Sequence, residues 1–80
     1  MKQIHLAIVS PEQALFEGEV ESVTLPGTCG SFTVLPNHAP VISSLEAGAV
    51  EYVSGGVRKS LEMKSGFIEF KKNEMTVCVE

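Results

Sequence analysis

The sequence predicts an all-β domain, a sandwich or barrel of short strands. Three observations lead there. Apolar and polar residues alternate at a period of two in several short stretches, such as Ile4, Leu6 and Ile8 around His5 and Ala7. The apolar set is dominated by β-branched and aromatic residues, while Gly and Pro recur too often for a long amphipathic helix. The alternating stretches follow one another at spacings of roughly ten residues, with turn residues between them.

In chain order, the first strand carries Ile4, Leu6 and Ile8 on one face. Glu12-Gln13-Ala14 is compatible with a single helical turn. Glu17, Glu19 and Glu21 then repeat at period two and share a strand face, read either as a solvated row or as a patch that meets a basic partner. Phe32 and Val34 alternate with Ser31 and Thr33. Gly55-Gly56 separates Glu51-Tyr52-Val53 from Val57-Arg58-Lys59, and two glycines supply the positive φ of a tight hairpin. Val57, Lys59, Leu61 and Met63 alternate with Arg58, Ser60 and Glu62. Lys71-Lys72-Asn73-Glu74 divides Phe67-Ile68-Glu69-Phe70 from a last strand with Met75, Val77 and Val79 in phase. Pro11, Pro26, Pro36 and Pro40 are expected between strands, where a missing N–H does least harm.

The chain has 80 residues, the size of one domain spanning residues 1–80. A chain this short buries about 60% of its unfolded surface, which leaves little room for a deep cleft beside a core. The formal charge is −4, from ten acids, all of them Glu, and six bases. An acidic chain without a basic stripe argues against nucleic acid. Leu6-Ala7-Ile8-Val9 is far too short to cross a membrane, and no basic-then-apolar leader opens the chain, so a cytosolic location is expected. Cys29 and Cys78 are expected to be free thiols packed as small hydrophobes.

The most irregular stretch runs from Pro26-Gly27-Thr28-Cys29-Gly30 through one strand to Pro36-Asn37-His38-Ala39-Pro40. Two prolines and an Asn, a residue that accepts a left-handed backbone, describe a stiff loop holding up one imidazole. Such a loop on a β scaffold suits a contact surface. A Cys29–His38 nucleophile pair lacks any surrounding catalytic signature. His5, His38, Cys29 and Cys78 are scattered rather than paired as zinc ligands are. A phosphate loop of the G-x-x-x-x-G-K-[ST] type is absent. No catalytic residue, cofactor or metal is therefore expected.

The order of the motifs resembles the ATP synthase epsilon subunit. Leu6-Ala7-Ile8-Val9-Ser10-Pro11-Glu12 leads through Leu15-Phe16-Glu17-Gly18 to Val23. Gly30, Pro36, His38-Ala39-Pro40, the Leu45-x-x-Gly48 step and Ser65-Gly66-Phe67 follow in that family's order and spacing. The resemblance covers essentially the whole chain. It implies a flattened β-sandwich or barrel of about eight to ten short, mostly antiparallel strands. Many family members add a C-terminal helical hairpin that in some inhibits ATP hydrolysis and in some binds ATP; this chain stops where the hairpin would begin, so a docking domain without that arm is expected.

The resemblance further implies a non-catalytic central-stalk subunit of a proton- or sodium-translocating ATP synthase. It would dock the gamma subunit onto the c-ring, with the catalytic head an indirect partner, on the cytoplasmic side of the bacterial inner membrane. Family positions carried over are Ser10 and Ser43, facing gamma or its surroundings, Asn37 and His38 at the rotor junction, and Cys29, Gly30, Ser31 and Phe32 in the loop facing the c-ring. Many members carry an acid in that loop, where this chain has Cys29 and Ser31, so a neutral hydrogen-bonded contact replaces a salt bridge. Asn37 and Thr33 stand where glycines are common. The alternative reading is a stand-alone β-sandwich adapter or ligand-binding module.

Overall fold

The computed structural model describes residues 3–80. Nine strands are present among them: β1 (Ile4–Val9), β2 (Ala14–Val20), β3 (Ser22–Gly27), β4 (Gly30–Val34), β5 (Val41–Leu45), β6 (Gly48–Ser54), β7 (Val57–Met63), β8 (Gly66–Lys71) and β9 (Glu74–Val79). They form one curled sheet in the order β2-β1-β9-β8-β5-β3-β6-β7, with β4 added beside β3. Among the described residues every pairing is antiparallel except β1 with β9. The all-β expectation holds, and so does the strand count.

The sheet folds over on itself because β3 changes partners partway along. Ser22, Val23 and Thr24 pair with β6, whereas Gly27 pairs with Leu45 of β5. A strand that leaves one layer for another makes the corner of a sandwich. The layer β2-β1-β9-β8-β5 thereby covers the layer β4-β3-β6-β7. Period-two patterning supplies the core between them: Ile4, Leu6 and Ile8 are fully buried, and they meet Val23, Leu25, Val50, Ile68, Phe70 and Val77. Phe16 and Tyr52 join the layers at the open edge, with ring centroids 4.6 Å apart. No polar or charged residue among those described is buried.

Two expectations need correction. Pro26 lies inside β3 rather than between strands. In an antiparallel strand the nitrogen and carbonyl of one residue point to the same edge. The Pro26 carbonyl accepts the Glu46 N–H (2.9 Å), so the missing N–H falls in the gap between the β6 and β5 pairings and costs no ladder bond. Glu12-Gln13-Ala14 is also not a helical turn. Ser10 bridges to Gln13 through both its backbone N–H (2.8 Å) and its hydroxyl, and Ala14 already belongs to β2.

The hairpins follow the sequence reading. Gly55 and Gly56 have φ of 59° and 78°, the positive pair of a type I′ turn. Lys72 and Asn73 adopt the same geometry at 53° and 61° between β8 and β9, without a glycine.

Candidate partner interface

β5 sets the layout of the candidate contact residues. Its pairing with β8 runs from Val41 opposite Phe70 to Leu45 opposite Gly66. The loop bearing Asn37 and His38 enters β5 at the first end. The β3–β4 turn bearing Cys29 meets the second end, where the Thr28 N–H donates to the Ser44 carbonyl (3.3 Å). Five residues of strand separate the two, about 17 Å. Ser10 also lies at the second end, because Val9 sits opposite Cys78 and Cys78 opposite Phe67.

The residues carried over from the family therefore do not form one patch. Ser10, Cys29, Gly30 and Ser31 occupy one end of the domain, and Asn37 and His38 the other. Phe32 turns inward and packs on the core. Ser43 is half-buried on the core-facing side of β5, in phase with Val41 and Leu45, and its hydroxyl donates to the Ser44 carbonyl (3.0 Å). Cys29 and Cys78 are both free thiols, as expected, but Cys29 is not packed as a small hydrophobe: it sits exposed on the β3–β4 turn, and only Cys78 is half-buried. Thr33 is explained by its partner: it lies opposite Thr24, and the two hydroxyls are 2.9 Å apart.

At the first end, His38 is held on three sides. Its N–H donates to the Leu35 carbonyl (3.1 Å), and its Nδ1 lies 2.7 Å from the Ala39 carbonyl oxygen. Its ring stands edge-on to Phe70, with centroids 6.2 Å apart. Phe70 is itself fully buried, so the imidazole rests on the core while remaining exposed.

Three features were not foreseen from the residues. One is a solvent-facing row across the larger layer, formed by Ser44, Phe67, Cys78 and Val9 on four successive strands. Phe67 is half exposed and Ile42, on the same face, is 80% exposed. The row borders a shallow recess of about 310 Å³ lined by Val9, Pro11, Phe67, Cys78 and Val79. The alternating Phe67-Ile68-Glu69-Phe70 pattern was the available signal: if Ile68 and Phe70 face the core, Phe67 must face out.

The second is a grip on His5. The Glu19 carboxylate lies 2.8 Å from Nδ1, and the Glu17 carboxylate 3.0 Å from Nε2. These bonds, Glu19 first, raise the His5 pKa above its ordinary value of 6.5. The two carboxylates hold opposite edges of one ring, so they flank the imidazole and do not converge with it on a point where a metal would sit. Glu21 leaves the row and accepts the Gly56 N–H (2.8 Å), so the acidic repeat is a solvated face whose members also tie neighbouring strands together. The third feature is a pair of asparagines, Asn37 and Asn73, joined side chain to side chain (3.1 Å).

Among the described residues no helix is long and apolar enough to cross a membrane. The fold presents two polar loop clusters at opposite ends and, on an outer face, a row with Phe67 exposed at its centre. Its class is that of a small β-sandwich domain. The chain belongs to the family described as ATP synthase, Delta/Epsilon chain, beta-sandwich domain, whose model matches residues 3–80. It is 37% identical to the ATP synthase epsilon chain of Leptospira borgpetersenii over 78 residues, 98% of this chain and 61% of that one. It is 38% identical to the ATP synthase epsilon chain of Caulobacter vibrioides over 80 residues, 100% of this chain and 93% of that one. The chain thus spans about three-fifths of the Leptospira relative and nearly all of the Caulobacter one. The fold matches a chain in the Euglena gracilis mitochondrial ATP synthase OSCP/F1/c-ring structure with a TM-score of 0.90, at 20% identity, over 96% of this chain and 50% of that one.

Proposed function

We infer that this chain is a non-catalytic central-stalk subunit of an ion-translocating ATP synthase, and that it docks the gamma subunit onto the c-ring so that ring rotation is coupled to ATP synthesis. The observation that carries the reading is the family match over residues 3–80, joined to relatives called epsilon chains. In that setting the complex sits at the membrane, with this subunit peripheral on its cytoplasmic side.

Physical features of the domain support the role. A part that transmits torque must be stiff, and a closely packed two-layer core is stiff. It must also hold more than one partner at once. The separation of the Cys29 and His38 ends by the length of β5 gives it two contact regions that one subunit cannot both cover with a single small patch. The outward-facing row of Phe67, Cys78 and Val9, with Phe67 exposed and the other two half-buried, supplies an apolar face for gamma, and the neutral Cys29–Ser31 turn a hydrogen-bonding face for the polar loops of the ring.

The test is reconstitution. Adding the chain to ATP synthase stripped of its epsilon chain is expected to give a stoichiometric complex containing gamma and to restore coupling between ion flow and ATP synthesis. Failure to bind the stripped complex, with the chain folded, would refute the reading.

A further inference from the structure

Asn37 and Asn73 stand 36 residues apart, on the loop that carries His38 and on the β8–β9 turn. We propose that their amides form a clamp that sets the pose of the His38 loop for its partner, which makes Asn73 a positioning residue of the docking surface. The proposal rests on the reading of that loop as a docking element.

The clamp is reciprocal. The Asn37 backbone N–H donates to Asn73 Oδ1 (2.6 Å), and Asn73 Nδ2 donates to Asn37 Oδ1 (3.1 Å). Both halves of the Asn73 side chain are thereby used on one partner residue. Asn37 and Asn73 both have left-handed backbone, with φ of 70° and 61°. Glycine would serve that backbone as well, but it has no amide to offer. Asn is the residue that meets both demands at once.

The clamp also has an anchor and a load. The anchor is β1, because the His5 N–H donates to the Asn73 carbonyl (2.8 Å). The load is the segment from Leu35 to Pro40, whose internal His38–Leu35 bond and flanking prolines make it one stiff piece. A stiff piece attached by its two ends can still swing. The Asn73 amide grips it beside His38 and removes that swing. The support is then continuous from β1 through the β8–β9 turn to the imidazole.

A loop held in its bound pose binds more tightly than one that visits it part of the time, in proportion to the fraction of competent molecules. Asn73→Gly keeps the positive φ and deletes the amide. NMR-detected exchange of the Asn37 N–H is expected to quicken roughly tenfold in this variant, with the amides of β8 and β9 unchanged, and affinity for the epsilon-stripped ATP synthase complex is expected to fall about fivefold. Asn73→Asp retains the acceptor for the Asn37 N–H, and Asn37 can turn its own amide to donate to the carboxylate. That variant is expected to recover most of both losses, which a merely structural role of the turn would not predict.

Unchanged Asn37 exchange in Asn73→Gly would overturn the clamp. Lost protection with wild-type affinity would overturn its role in positioning. Should the wild-type chain itself fail to bind the stripped complex, the docking reading falls and the positioning role with it; should wild type and variant bind alike, only the positioning role falls.

Discussion

Gly66 offers the most direct check on the packing of the larger layer. It opens β8, opposite Val79 at the end of β9 and beside Cys78. A Cβ built on Gly66 would collide with the Cys78 carbonyl oxygen and would stand 3.3 Å from both the Cys78 carbonyl carbon and the Val79 Cα. All three atoms are backbone, so no side chain can rotate away. Retreat of β9 is blocked as well, because its other edge is paired with β1 from Glu74 to Cys78. Gly66→Ala must therefore displace a central strand. Overpacking of this kind costs about 1–3 kcal/mol. In a domain this small each kcal/mol lowers Tm by about 4–8 °C, so a fall of roughly 5–20 °C is expected by calorimetry. The urea m-value should stay constant, since the surface exposed on unfolding barely changes. A Tm within about 2 °C of wild type would refute the β8–β9 register.

Other consequences follow from the same geometry. His5 is raised by its bonds to Glu19 and Glu17, so its contribution to stability is fully present below about pH 6.5 and is lost as pH rises through the raised folded value. The Tm advantage of wild type over His5→Ala should accordingly shrink as pH rises above about 6.5, and shrink further in high salt; an advantage that grew with pH would contradict the bridging arrangement. A double-mutant cycle on Phe16→Leu and Tyr52→Leu should return a coupling of about 0.5–1.5 kcal/mol from the ring pair joining the two layers, and additivity would mean the layers are not tied there. Calorimetric titration of the isolated chain with ATP should detect no tight binding, given the lack of a phosphate loop in the sequence, whereas micromolar affinity would show that these residues hold a nucleotide site of their own.

The period-two patterning made much of the domain readable from its residues. Ile4, Leu6 and Ile8, or Met75, Val77 and Val79, announce both the strand and its buried face. Gly55-Gly56 announces the β6–β7 hairpin because its backbone demand is local. What stayed hidden depends on which strands meet. Nothing local to Ile4–Val9 or Glu74–Val79 says that the two ends of the chain pair in parallel. Nor does the β3 sequence declare that it pairs with β6 at one end and β5 at the other, so Pro26 was expected outside a strand. Motif order assigned Asn37, His38, Cys29 and their neighbours to contact surfaces, but their division between two ends of β5 required the fold. The Asn37–Asn73 clamp and the His5 grip were unreadable for the same reason: each joins residues distant in sequence through a register that no single segment encodes.

The proposed docking role requires these two ends to meet stalk and ring in the assembled enzyme. Photo-crosslinkers attached at Cys29, or at position 38 in His38→Cys with Cys29→Ala, in a Cys78→Ala background, would report what each end touches in native membranes. Capture of a c-ring subunit from position 29, and of gamma or the ring from position 38, is the expected result. Incorporation of the chain into the complex with neither position reaching gamma or the ring would contradict it.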